Sequence, residues 1–194
     1  MCIRDSVEII TESWLEEMLQ LCQQKDVGMA GAKLYYPDDT IQHAGVVVGL
    51  GGVAAHVLCK LPRDAEGYMG RLRCVQEISA VTAACMMVKT SVFKAVGGFD
   101  EELKVAFNDI DFCMKLRKAE YLIVYNPYAE LYHYESKSRG MEDTPEKQLR
   151  FSREVNCFRR KWERELLKGD PYYNPNLTLN NTDCSLRKQE KNGD

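Results

Sequence analysis

Two aspartates, Asp109 and Asp111, stand close together at the start of a predicted amphipathic helix, shortly after the glycine pair Gly97-Gly98. A carboxylate at such a helix mouth can take a proton from a bound hydroxyl group, as a general base does. The spacing also describes a helix start, with Asn108 as N-cap and Asp111 completing a capping box. The helix dipole favours negative charge there as well. Capping accounts for Asp111 better than for Asp109, so Asp109 is the stronger candidate for chemistry.

The histidines supply a second candidate group. His133, in the segment ELYHYES, could ligate a divalent metal or donate a hydrogen bond to a phosphate. Strand alternation places it on the same face as Leu131, and a structural or exposed histidine is the competing interpretation. His43 alternates with Ile41 in a predicted strand and is interpreted as structural. His56 lies in a predicted loop and indicates no role by itself.

Composition describes a globular protein with a substantial core. The chain has 194 residues, of which 45% are hydrophobic and 28% charged, and its formal net charge is −3. This balance gives no global attraction to nucleic acid. Eight cysteines occur without a CxxC pair, which favours buried free thiols in a reducing cytoplasm over a disulfide framework. No apolar run approaches the roughly 20 residues that a membrane-spanning helix needs.

The elements that must position these residues follow from hydrophobic periodicity and from turn signals. Predicted strands cover 27–36, 40–50, 77–89, 122–125 and 129–133. Predicted helices cover 13–24, 91–96, 109–120 and 144–168, the last opened by Thr144-Pro145. The strand 77–89 is predicted to be central because both of its faces are apolar. Strands alternating with helices predict an α/β fold, with a mixed sheet flanked by helices.

Taken in order, the motifs resemble a known family. The segment VTAACMMVKTSVFKAVGGFDEELKVAFNDIDFCMKLRKAEYLIVYNPYAELYHYES is similar to the C-terminal half of a family 2 glycosyltransferase catalytic domain with the GT-A fold. The flanking motifs GAKLYYPDDTIQHAGVVVGLGG and DPYYNPNLTL resemble the same group, whose bacterial members build surface polysaccharide and are often called rhamnosyltransferase-like. The resemblance covers Val7 to about Leu179.

The resemblance implies an inverting sugar transfer. Asp109 matches the family's catalytic base, which deprotonates the acceptor hydroxyl as that oxygen attacks the anomeric carbon of a nucleotide-sugar donor. Asp111 matches the second acidic position, which supports the helix or the acceptor. The acceptor would be a saccharide or a lipid-linked saccharide, reached from the cytoplasm or at the cytoplasmic face of the membrane through peripheral association.

Further site residues are implied in the same way. His133 matches a histidine near the diphosphate and a divalent metal, Mn²⁺ or Mg²⁺. The acceptor-binding residues implied by the resemblance are Gly98, Phe99, Asp100 and Asn108. Many relatives carry Glu where this chain has Asn108, so the first member of the acidic pair is missing here.

The resemblance also predicts an N-terminally truncated domain. Residues 1–6 are interpreted as an artefact or truncation scar, residues 7–168 as the C-terminal part of a GT-A glycosyltransferase domain, and residues 169–194 as an extended tail. The donor-binding half precedes the matching region in the family, so the isolated chain is expected to be weakly active or inactive. An exposed sheet edge is also expected, with self-association through it.

Two other classes of function stay open at this stage. A non-catalytic binding or assembly module would use the helix 144–168 to dock a partner, with the aspartates only capping a helix. A metal-dependent phosphoesterase or nucleotidyltransferase would use the same carboxylates for another reaction.

Overall fold

The computed structural model describes residues 6–134 and 144–188. Of the predicted artefact at 1–6, only Ser6 falls within the described residues, and its carbonyl accepts a hydrogen bond from the Tyr134 N–H at 2.7 Å. The predicted tail, 169–194, is described as far as residue 188.

The chain alternates strands and helices, as its periodicity predicts. The strands are β1 (Val7–Ile9), β2 (Val27–Tyr35), β3 (Ile41–His43), β4 (Val46–Val48), β5 (Ala54–His56), β6 (Gln76–Glu77), β7 (Met86–Val88) and β8 (Leu122–His133). The helices are α1 (Trp14–Cys22), α2 (Thr90–Ala95), α3 (Asn108–Lys118), α4 (Pro145–Lys161) and α5 (Glu163–Lys168). The predicted start of α4 is confirmed, because the Thr144 side chain accepts from the Lys147 N–H at 3.3 Å.

Two long parallel strands, β2 and β8, form the centre of the main sheet. β3 and β7 pair antiparallel with β2, while β1 and β6 pair antiparallel with β8. β4 and β5 form a separate two-stranded sheet. The predicted mixed α/β fold is therefore confirmed. Each edge strand of the described main sheet has three residues or fewer, which gives little edge for pairing; self-association stays a prediction.

Four predictions differ from the structure. The strands predicted over 122–125 and 129–133 form one continuous strand, β8 (Leu122–His133). The segment 77–89 is not a central strand, because only its ends form β6 and β7 and the residues between them form a loop. The segment 40–50 divides into β3 and β4 at Gly45, whose φ of 102° is a left-handed conformation that suits glycine. The helix predicted over 144–168 divides at Trp162 into α4 and α5.

Helices cover both faces of the sheet. On one face, Met18 and Cys22 of α1 pack against Ala30, Ala32 and Leu34 of β2. On the other face, α3 inserts Phe112, Cys113 and Leu116 into the larger core, together with Phe158 and Trp162 from the C-terminal helices. Tyr173, Leu177 and Cys184 of the C-terminal segment join this larger core. α3 is thus held between the sheet and α4.

A close approach on β2 positions the loop that faces α3. A Cβ atom built on Gly31 would lie 2.3 Å from Val81 Cγ1 and 2.6 Å from Val81 Cβ. Glycine at this position lets the loop 78–85 lie directly on β2, and this loop carries Ala83 toward the head of α3. We expect Gly31→Ala to lower the free energy of unfolding by about 1–3 kcal/mol through overpacking, measured by urea unfolding. A change below about 0.5 kcal/mol would contradict the close approach.

Within the described ranges 6–134 and 144–188, none of the helices combines the length and the apolar character that crossing a membrane requires.

Candidate active site

The head of α3 is set by an unusual residue rather than by a capping side chain. Phe107 occupies the N-cap position in the left-handed conformation, with φ 62°, and makes no side-chain cap hydrogen bond. Asn108 is the first helical residue, and its Oδ1 accepts from the Asp109 N–H at 2.7 Å. The prediction that Asn108 is the N-cap is therefore wrong, because the chain reverses one residue earlier.

Asp109 lies in the first turn of α3 with a partly exposed carboxylate that two backbone N–H groups hold. Oδ2 accepts from the Ala83 N–H at 3.0 Å, and Oδ1 accepts from the Ile110 N–H at 2.9 Å. An ionised carboxylate has about four lone-pair sites, so both oxygens keep capacity to accept a proton. The arrangement fixes the orientation of this group, and among the described residues no ion pair neutralises it.

Asp111 is in a different environment, because its side chain is 0% exposed. Its Oδ1 accepts from Trp162 Nε1 at 2.8 Å and lies 2.8 Å from Lys161 Nζ, while Lys115 Nζ lies 3.4 Å from Oδ2. The capping-box prediction is wrong, since this carboxylate points to the C-terminal helices and not to the helix start. A buried group in these contacts cannot touch a substrate, so the catalytic assignment made for Asp111 with Asp109 does not fit its placement.

The predicted acceptor-binding turn, Gly98-Phe99-Asp100, lies against the side of α3. Lys115 Nζ donates to the Gly98 carbonyl at 2.7 Å, and the Phe99 ring packs 5.2 Å from the Phe112 ring, centroid to centroid. Phe99 is 41% exposed. Among the described residues, no hydrogen bond joins this turn to Asp109.

Lys161 joins the turn to Asp111. It donates to Asp100 as well as to Asp111, and the hydrogen bond from Lys161 lowers the pKa of Asp100. Burial by itself would lower the pKa of Lys161, but the two carboxylates outweigh burial and raise it. The turn is therefore fixed to α3 and to α4 by charged hydrogen bonds.

The three histidines of the chain gather around Gln42. His43 Nδ1 lies 3.1 Å from His56 Nδ1, which is also 3.0 Å from the Gln42 carbonyl. The Gln42 side chain makes two contacts with His133. Gln42 Oε1 lies 2.7 Å from His133 Nδ1, and Gln42 Nε2 donates to the His133 carbonyl at 3.2 Å. Gln42, His56 and His133 line a cavity of about 270 Å³.

A short polar path connects this cluster to Asp109. The Thr82 N–H donates to His43 Nε2 at 3.4 Å, and the next N–H along the chain, that of Ala83, donates to Asp109. Thus Asp109 and His133, 24 positions apart in the sequence, belong to one connected region through the loop 78–85. In the part of the chain that the structure describes, no hydrogen bond joins them directly.

Burial of His43 makes folding sensitive to acid. Burial first, and then the nearby His56 and His133, lower the pKa of His43 well below its usual value. The unfolded chain takes a proton near pH 6.5 and the folded chain does not, so stability is full above that pH and is lost as pH falls. We expect a loss of about 1.4 kcal/mol per pH unit below 6.5, measured by urea unfolding between pH 7 and pH 5. His43→Gln keeps an acceptor near Thr82 and should flatten the slope; an unchanged slope would contradict the assignment.

The predicted metal site is not assembled by the residues described. Within residues 6–134 and 144–188, no group of three His, Cys, Asp or Glu side chains is placed to hold a metal ion. His133 directs Nδ1 to Gln42. These residues do not fit a complete Mn²⁺ or Mg²⁺ site, and no step of the reaction is assigned to a metal.

A further cavity of about 770 Å³ lies beside the C-terminal end of β2 and the middle of β8 and contains none of the predicted site residues. Lys33 lines it, buried, with Nζ donating to the Leu72 carbonyl at 3.2 Å, and burial lowers the pKa of this lysine. Arg63, on the rim, lies 3.2 Å from Glu130 and 3.4 Å from Asp39. Arg63 is thus ion-paired with two of the acidic residues that line this cavity.

Sequence reasoning missed several residues that build the site. Gln42, Thr82 and Ala83 act through long-range contacts, and two of them contribute only backbone N–H groups, for which side-chain type gives no signal. Trp162 had a signal, since a tryptophan near the end of an amphipathic helix needs a partner for its N–H when buried.

Similarity to known proteins covers almost the whole chain. It is 56% identical over 185 residues, 95% of its length, to the uncharacterized protein y4gI of Sinorhizobium fredii. It is 36% identical over 193 residues, 99% of its length, to the O-antigen biosynthesis protein RfbC of Myxococcus xanthus. Over 62 residues, 32% of its length, it is 39% identical to the N-acetylglucosaminyl-diphospho-decaprenol L-rhamnosyltransferase of Mycobacterium tuberculosis. No family model matches the chain.

The alignments cover only a small part of each relative. The alignments cover 20% of y4gI, 15% of RfbC and 20% of the rhamnosyltransferase, so the chain spans a fifth or less of each. The mixed sheet with helices on both faces is consistent with a glycosyltransferase-like fold.

Proposed function

We propose that this chain is the acceptor-side part of an inverting sugar transferase of the family 2, GT-A type, and that Asp109 is its general base. The proposal rests on the exposure, the position and the hydrogen bonds of Asp109. It is partly exposed, lies at a helix head, and is oriented by the N–H groups of Ala83 and Ile110. A base must be held in place and still have a free lone pair, and this carboxylate meets both conditions.

The proposed step is a single displacement. The acceptor hydroxyl oxygen forms a bond to the anomeric carbon of a nucleoside diphosphate sugar, while the bond from that carbon to the diphosphate oxygen breaks. Asp109 takes the hydroxyl proton, and the nucleoside diphosphate leaves with the electron pair from the opposite face. The configuration at the anomeric carbon inverts as a result.

The relatives support a transferase acting in polysaccharide synthesis. One is named for O-antigen biosynthesis and one for rhamnosyl transfer to a diphospholipid-linked sugar. The acceptor class that we propose for this chain is accordingly a saccharide or a lipid-linked saccharide. Phe99, which is 41% exposed, offers an apolar surface to a sugar face beside α3, and Asp100 fixes the turn that carries it.

The remaining assignments extend the proposal. We place the protein in the cytoplasm or at the cytoplasmic face of the membrane, which fractionation of the producing cells would check. Dependence on Mn²⁺ or Mg²⁺ would involve His133 together with ligands beyond the described residues. Calorimetric titration of the chain with nucleoside diphosphates, with and without Mn²⁺, would detect any donor site it has.

Transfer can be tested in a chimaeric protein that joins this chain to the donor-binding half of a family 2 glycosyltransferase. It would be incubated with a panel of nucleoside diphosphate sugars and a lipid-linked saccharide, and the products weighed by mass spectrometry. We expect one sugar residue to be added for each nucleoside diphosphate released. Release of nucleoside diphosphate or sugar phosphate at the same rate without acceptor would contradict transfer and favour the phosphoesterase alternative.

A further inference from the structure

The loop before α3 is held by a buried carboxylate from another helix. Glu154 of α4 is 3% exposed, and its side chain accepts hydrogen bonds from three consecutive backbone N–H groups. Lys104 N and Val105 N lie 3.1 and 3.2 Å from Oε1, and Ala106 N lies 2.8 Å from Oε2. Successive N–H groups that converge in this way form a concave anion site, here filled by the protein's own carboxylate.

The residue that follows this loop is held by the same helix. The Phe107 ring lies 5.7 Å from the Phe151 ring and 5.4 Å from the Phe158 ring, both of α4. Phe107 is also the left-handed residue at which α3 begins, and its carbonyl accepts from the Asp111 N–H at 2.8 Å. α4 therefore fixes both the backbone and the side chain of the segment that starts α3.

A second buried carboxylate anchors the first turn of α3, and this one belongs to α3 itself. Asp111 sends its buried carboxylate out of α3 to Trp162 Nε1 and to Lys161 at the end of α4. Glu154 of α4 therefore binds the loop before α3, and Asp111 of α3 binds residues at the end of α4. In the sequence, Asp109 lies between the anchored loop residues 104–106 and the anchored Asp111.

We infer that Glu154 is a positioning residue for Asp109. It shapes the loop 104–107 so that α3 begins where Asp109 Oδ2 meets the Ala83 N–H. Hydrogen bonds to a charged acceptor are stronger than neutral ones, and three of them hold this loop. The inference rests on the proposed function, because positioning Asp109 has catalytic meaning only if Asp109 is the base.

The Ala83 amide offers a direct reporter of where Asp109 lies. In Glu154→Gln the charge is lost while the shape is kept, and amide hydrogen exchange would be followed by NMR in this chain. We expect the amides of Lys104, Val105 and Ala106 to exchange at least about tenfold faster. We expect the Ala83 amide to exchange faster as well, with a changed chemical shift. Glu163→Gln, an exposed change on α5, is the matched control and should leave all four amides unchanged.

Faster exchange of the loop amides with an unchanged Ala83 amide would overturn the inference, because Glu154 would then hold the loop alone. If Glu154→Gln does not fold, Glu154→Asp keeps the charge but shortens the side chain. It should give smaller changes at the same four amides, and no change at Ala83 would again overturn the inference.

A kinetic readout separates positioning from general stability. In a longer protein that transfers sugar, Glu154→Gln should lower kcat at least about tenfold with an unchanged KM for the donor. An equal kcat would overturn the inference even if Asp109 proves to be the base. Conversely, the amide measurements need no activity, so they test the positioning when the proposed function itself fails.

Discussion

Asp109→Asn is expected to lower the rate of sugar transfer by about 10²–10⁴-fold, the usual contribution of a general base. The amide oxygen of Asn can still accept from the Ala83 N–H, whereas the amide nitrogen replaces the oxygen that accepts from the Ile110 N–H. The variant therefore loses one local hydrogen bond together with the ability to take the acceptor proton. The rate would be measured as nucleoside diphosphate released per enzyme at saturating donor and acceptor.

The same variant is its own control for folding. Because Asp109 is partly exposed and makes no ion pair among the described contacts, we expect its free energy of unfolding to stay within about 1 kcal/mol of the parent. Near-normal turnover in Asp109→Asn would show that another group takes the proton.

Asp111→Asn is expected to lower the free energy of unfolding by about 3 kcal/mol. The substitution removes the charge that faces Lys161 and Lys115, and it leaves a neutral amide in a fully buried site. The value is at the low end for a broken buried pair because the two lysine side chains are 32% and 19% exposed. Urea unfolding monitored by circular dichroism gives the measurement.

The size of this loss also distinguishes a buried, ion-paired Asp111 from an Asp111 that only caps the helix. A capping carboxylate alone contributes about 0.5–2 kcal/mol, so a loss in that range would contradict the buried role. Trp162→Phe offers a related test, since it removes the indole N–H from which Asp111 accepts, together with part of the buried ring. It should cost at least about 1.5–3 kcal/mol, the usual contribution of a hydrogen bond to a charged group, with the lost packing added to it.

The sequence predicted the parts of the fold that depend on local pattern. Periodicity identified the bounds of β2, α1 and α3 to within two residues, and Thr144-Pro145 identified the start of α4. These features need only neighbours along the chain. The fold class followed from the alternation of strands and helices, which the structure confirms.

Other features depend on contacts between distant residues, and there the sequence failed. The apolar run 77–89 was predicted as a central strand, yet its middle packs over Gly31 as a loop. Asp111 had the spacing of a cap, but its carboxylate is bonded to Trp162, 51 positions later. Local patterns cannot distinguish these cases, because burial by a remote element decides them.

In the candidate site, too, local pattern predicted some features, and contacts between distant residues decided the others. Helix-mouth chemistry made Asp109 a candidate before its contacts were known, and the structure adds the Ala83 N–H that orients it. His133 was predicted alone, whereas the structure places it with Gln42, 91 positions away. The role of each residue in transfer stays a prediction until activity is measured.

Two aspartates in one helical turn are thus assigned separate tasks: Asp109 takes a proton, and Asp111 holds the helix. The most direct test measures the transfer rate per folded molecule for Asp109→Asn and Asp111→Asn, with the folded fraction taken from circular dichroism of the same samples. We predict a rate near background for folded Asp109→Asn and a rate within about tenfold of the parent for folded Asp111→Asn. Equal losses per folded molecule in both variants, or normal transfer by Asp109→Asn, would contradict this division.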